Sequence, residues 1–170
     1  MKIYWFLILI GFFSSTSLFS QTSYKGFVDK NPYEMFIDIE SNSFATATFV
    51  DTDKDESFSI YGQIENNTLI FIEKDQFKNV IFKIEFQDFD IKQIKANGIW
   101  QNYKTNEQYK IDFTQIFNLE VDQSNSLVNR DIIQSVTTNN HYFKLQIVND
   151  SITSNLYVSA VKIFEKKTDK

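Results

Sequence analysis

The chain has 170 residues, a net charge of −5 and a single histidine, and it contains no cysteine. Thiol catalysis, Fe–S clusters, cysteine-ligated zinc and multi-histidine metal sites are therefore excluded. An acidic surface also disfavours nucleic acid, because phosphate recognition needs clustered Lys and Arg.

The first element is an export signal at residues 1–20. Lys2 gives a positive start, Ile3–Phe13 is an apolar run interrupted only by Gly11, and a small-residue zone closes at Ser20. This order of charged, apolar and small residues is that of a secretory signal peptide. Cleavage is expected at Ser20–Gln21, with Leu18 and Ser20 in the −3 and −1 seats. A retained anchor is the alternative reading. The apolar run is far shorter than the ~20 residues a membrane-spanning helix needs, so no transmembrane segment is expected in the mature chain. The destination is the periplasm or the exterior. Without disulfides, the exported domain must hold itself together by its apolar core.

From Tyr24 to Phe113 the sequence reads as short period-two segments, within a barrel domain expected at 21–118. Tyr33, Met35, Ile37 and Ile39 alternate with Glu34, Phe36, Asp38 and Glu40, and Val80, Phe82, Ile84 and Phe86 alternate with Ile81, Lys83 and Glu85. The same rhythm runs through 58–64, 94–100 and 109–113. Alternation rich in β-branched and aromatic residues signals half-buried strands. Polar clusters such as Asp51–Ser57, Glu65-Asn66-Asn67 and Lys74–Asn79 separate them. Glycine is scarce, so Asn and Asp must supply the left-handed turn positions. Short connections make consecutive strands antiparallel neighbours. The expected fold is all-β: an antiparallel eight-strand meander closed into a small barrel or near-barrel, plus a C-terminal β-hairpin. Residues 119–138 read as a linker or short helix, and 139–170 as the hairpin segment, with strands at Tyr142–Val148 and Leu156–Phe164. A lone hairpin is unstable in water, so this pair must dock on the barrel or belong to something larger.

Tyr24-Lys25-Gly26, Asn31-Pro32-Tyr33-Glu34-Met35, Ile60-Tyr61-Gly62, Leu69–Glu73 and Asn97-Gly98-Ile99-Trp100 resemble the opening domain of a family of secreted Bacteroidota-type β-meander proteins. That family carries the rhythm Y-x-G, I-x-L-x-G and G-T-W. Tyr157–Thr168 is similar to a second element of such proteins, which there opens a calcium-loop module related to periplasmic lysozyme inhibitors. The resemblance implies a periplasmic binding protein, with inhibition of a basic hydrolase as one version. The chain reaches Lys170 before any such calcium loop, which fits a shortened member.

Several clusters invite a chemical reading. Asp51, Asp53 and Asp55 alternate on one loop, the oxygen-rich pattern a calcium ion would use; a solvated turn is the plainer reading. Glu34, Asp38 and Glu40 share a strand face, and such carboxylates can serve glycoside cleavage, although alternation already explains them as an outward, solvated face. His141 has no nucleophile beside it in sequence. Tyr61, Phe71, Trp100, Tyr103 and Tyr109 are candidates to line an apolar ligand pocket inside the barrel. With 18 Phe, 8 Tyr and 2 Trp in the chain, core filling is the plainer reading. Two functions follow: a secreted, non-enzymatic binding module recognising a protein or envelope component, with the acidic Asp51–Glu56 loop as its contact, or a small β-barrel carrier of an apolar ligand. No cofactor is called for beyond the calcium option.

Overall fold

The computed structural model describes residues 20–41, 43–119, 129–133, 138, 140–149 and 155–166. Apart from Ser20, the expected export signal lies outside these described residues. Eight antiparallel strands follow one another: β1 (Ser20–Val28), β2 (Asn31–Ser41), β3 (Phe44–Asp51), β4 (Glu56–Glu65), β5 (Thr68–Lys74), β6 (Val80–Phe86), β7 (Lys95–Asn102) and β8 (Glu107–Asn118). Each pairs with the next, and β1 returns to pair with β8, so the meander closes into a barrel. Closure satisfies the backbone of every barrel strand and removes the open edges an eight-strand sheet would otherwise present. No helix among the described residues is long and apolar enough to cross a membrane.

The period-two pattern fixes what points inward. Met35, Ile37, Ala47, Phe49, Phe71, Ile84, Phe86, Ile111 and Phe113 are all fully buried in one interior cluster. Phe49 lies at its centre, 5.2 Å from the Phe58 ring, 6.0 Å from Phe71, 6.2 Å from Trp100 and 6.5 Å from Phe113. Three glycines make room for this packing. Gly26 faces Phe113 across the β1–β8 pair, Gly62 faces Phe71 across β4–β5, and Gly98 faces Phe86 across β6–β7. A Cβ on Gly62 would sit 2.4 Å from the Phe71 ring, so the aromatic side chain occupies the space a side chain would fill.

The C-terminal part contains more than a hairpin. β10 (His141–Asn149) pairs with β11 (Leu156–Glu165) on one side and with β9 (Asn129–Ile133) on the other, giving a three-stranded sheet of order β11-β10-β9. β9 corrects the expectation of a linker or short helix at Asn129–Ile133; of the rest of 119–138, residues 120–128 and 134–137 lie outside the described residues. Its five residues gain their order from the pairing Lys144↔Ile133 through Val148↔Asn129 and not from a local pattern.

This sheet docks on the outside of the barrel. Ile132, Ile133, Tyr142 and Ile147 pack with Phe36, Val50 and Phe117 in a second core. Full burial of side chains of this size contributes about 1.5–3 kcal/mol each. The face of β2 expected to be solvated is thus covered: Phe36 is 1% exposed and Glu34 8%. The seam also carries polar ties. Lys144 Nζ lies 2.7 Å from Glu34 Oε2, with both side chains largely buried. Tyr142 Oη donates to Asp55 Oδ1 at 3.0 Å, and Lys166 Nζ donates to the Ser57 carbonyl at 3.1 Å.

Candidate functional site

One end of the barrel gathers three aromatic rings. Tyr33 opens β2 just after Pro32, Trp100 lies in β7, and Tyr109 stands directly opposite Trp100 in the β7–β8 register. The Tyr33 and Trp100 rings meet edge to face at 6.0 Å. With Val28, Asn31 and Lys54 they line a mouth of about 200 Å³. Trp100 forms its base and rests on Phe82 at 5.1 Å and Phe58 at 5.5 Å, so the space beneath is filled by rings.

The surroundings of the mouth are acidic. Tyr109 Oη donates to Glu107 Oε2 at 2.6 Å, and that hydrogen bond holds the phenol above its ordinary pKa. Burial raises the Tyr33 phenol, and the Asp51 and Glu56 carboxylates raise it further. Neither phenol ionises near neutral pH, so both act as neutral hydrogen-bonding rings. Lys54 contributes the ammonium at the rim and sits 3.6 Å from Asp51 Oδ2. The mouth therefore offers flat apolar faces, an amide, phenol hydroxyls and one neutralised ammonium. That set suits recognition by stacking and hydrogen bonding.

The β3–β4 loop that carries Lys54 is a brace. Asp51 Oδ1 accepts from the backbone N–H groups of Asp53 and Lys54, both at 3.1 Å, which folds the loop back on its own first residue. Thr52 bonds the Pro32 carbonyl through both its N–H (3.1 Å) and its hydroxyl (3.2 Å). Asp55, at φ 53, is held by Tyr142. The three carboxylates proposed for calcium thus turn to different neighbours: Asp51 is buried and committed to the loop, Asp55 to the docked sheet, and Asp53 faces outward. Among the described residues no group of three or more His, Asp or Glu is arranged to hold a metal ion.

The five aromatics proposed as an interior pocket do not converge. Trp100 and Tyr109 meet at the mouth, whereas Phe71 is buried deeper in the packed core. Tyr61 is 80% exposed on the outer wall, and Tyr103 is exposed in the β7–β8 turn. Alternation sends Tyr61 outward, because its neighbours Ile60 and Gly62 point in. Tyr33 completes the mouth and belongs to none of the aromatics singled out from sequence. Its inward direction follows from the β2 alternation, but its place at the rim depends on how the barrel closes. Of the carboxylates considered for glycoside cleavage, Glu34 is tied to Lys144, Asp38 is half-buried and Glu40 is exposed. His141 starts β10, where its backbone N–H and carbonyl bond Thr138.

A second concavity of about 650 Å³ runs over the outer face of β6–β8, lined by polar side chains including Gln87, Asn97, Gln108 and Lys110, with Ile99 among them. No family model, curated protein or solved structure matches the chain.

Proposed function

We propose that the chain is an exported, non-enzymatic binding module that recognises a protein or an envelope component with the aromatic end of its barrel. The observation that carries this reading is the gathering of Tyr33, Trp100 and Tyr109 around an open mouth whose floor is packed ring on ring. A mouth of this size admits one ring or one side chain of a larger partner, and a filled interior leaves recognition to the rim. The Asp51–Glu56 loop reaches the same end through Lys54, which lines the mouth, and its outward Asp53 supplies a carboxylate for a basic partner. The secretory pattern of residues 1–20 supports export, with the periplasm or the exterior as the place of work. The family resemblance makes a basic lysozyme one specific candidate.

The test is a biosensor titration of the mature chain against two immobilised probes, a basic lysozyme and solubilised peptidoglycan. Saturable binding to one of them is expected. Tyr109→Ala should weaken it at least about tenfold, close to 1.4 kcal/mol, with an unchanged melting temperature. Binding to neither probe, or binding indifferent to Tyr109→Ala, overturns the reading.

A further inference from the structure

β6 and β7 part beyond Gly98. Their pairing runs only from Phe82↔Asn102 to Phe86↔Gly98, whereas β7 stays paired with β8 as far as Lys95↔Thr114. The chain after Phe86 turns away through residues 87–94, and the concavity of about 650 Å³ opens between that turn, β7 and the start of β8. Its size is that of a site for a small organic ligand. Alternation along β7 buries Ala96 and turns Asn97 and Ile99 outward. Glu85, Ile99 and Lys110 form one row across three strands, so a 40% exposed apolar side chain lies between opposite charges. The ionised groups of the lining are Glu85, Asp88, Lys95 and Lys110, two of each sign in a chain of net charge −5. Glu85 is engaged by Lys83 and by Gln87 at 3.2 Å, and Lys95 by Thr114 at 2.8 Å and Asp112 at 3.4 Å. Around Ile99 stand four exposed amides: Gln87, Gln93, Asn97 and Gln108. An amide both donates and accepts, as a hydroxyl does, whereas an ammonium only donates and a carboxylate only accepts.

We infer that this groove binds an uncharged oligosaccharide, with one sugar ring over Ile99 and its hydroxyls bonded to Asn97 and Gln108. The balanced charge of the lining gives an ionic polymer no net attraction. An extended peptide is held by its main chain on a free strand edge. Among the described residues only Lys95–Asn97 of β7 lack a β6 partner, and three residues are too short an edge for that mode. A sugar needs neither a net charge nor an edge. Its C–H face rests on apolar carbon, and its hydroxyls exchange hydrogen bonds with amides that can take either role. Tyr109 borders the groove at one end and the mouth at the other. Asn97, Ile99 and Gln108 do not line the mouth, so the inference stands or falls apart from the reading given to Tyr33 and Trp100.

The test is an NMR titration of the isotope-labelled mature chain with two uncharged probes, the N-acetylglucosamine trimer and the glucose trimer cellotriose, each taken to about 10 mM. Saturable shifts of the Asn97, Ile99 and Gln108 signals are expected with at least one of them. The double variant Asn97→Ala with Gln108→Ala should weaken that binding at least about tenfold at an unchanged melting temperature, since both side chains are exposed. Lys54→Ala, which alters the mouth and not the groove, should leave the titration as it was. No saturable shift with either trimer, shifts centred outside the groove, or a titration indifferent to the double variant overturns the inference. Loss of sugar binding in Lys54→Ala also overturns it, because the sugar then occupies the mouth.

Discussion

Lys78 adopts φ 66 in the β5–β6 turn, a left-handed conformation in which a side chain with a Cβ is strained. The other left-handed residues described, Asp29, Asp55, Asn66, Asn67, Asp88 and Asn106, are all Asn or Asp, which tolerate that region better. Lys78 is exposed, so Lys78→Gly should raise the unfolding free energy by about 1 kcal/mol, read from urea denaturation. The prevalence of Asn and Asp at these turns was legible from the scarcity of glycine; the lysine was not, because nothing in its neighbours marks it. The strand glycines have a different role, since none of those described has positive φ. Each lies opposite a phenylalanine of a paired strand, an arrangement that sets a missing side chain against an oversized one. Asp38 shows what partial burial does to a single group. Burial holds its carboxyl above the ordinary range, Gln21 opposes that by a hydrogen bond, and Glu40 adds to it. A raised carboxyl pKa favours the neutral form. Its contribution is complete below the unfolded value of ~4 and is lost as pH rises through the folded one. Asp38→Asn should therefore raise the melting temperature at pH 7 by about 1–2 °C and leave it unchanged near pH 3, as calorimetry at the two pH values would show.

β2 is the element on which both cores depend. Its odd positions Met35, Ile37 and Ile39 face the barrel interior, while Glu34 and Phe36 are sealed under the three-stranded sheet. Alternation predicted the first set and misjudged the second, because period two says which residues share a face and not whether that face is covered. β9 escaped notice for a related reason: Asn-Arg-Asp-Ile-Ile is too short and too polar at its start to declare itself a strand. The pair Lys144–Glu34 spans the seam at low exposure. Removing one partner leaves the other charged and desolvated, so Lys144→Ala should destabilise the chain by about 3 kcal/mol. Hydrogen exchange should report faster opening of β10 and β11 than of the barrel strands. The double replacement Lys144→Met with Glu34→Met should recover most of that loss, since an apolar pair fills the same space without a stranded charge.

At the scale of the molecule, a closed barrel and a small sheet share one wall of strands, and the two are joined by Tyr142, Lys144 and Lys166. The barrel was readable from its eight alternating segments. The mouth was half readable: Trp100 and Tyr109 were singled out, but Tyr33 joins them only because closure brings the start of β2 to the same rim as the end of β7. Closure itself has a kinetic side. β1 is hydrogen-bonded to its sequence neighbour β2 and also to β8, the last barrel strand to be synthesised. Until β8 is delivered, the nascent chain holds two ragged borders and an unsealed oily interior, so most of its burial comes in one late step. A polypeptide that finishes folding so abruptly stays threadable for most of its synthesis, and its most vulnerable moment falls just before the final strand arrives.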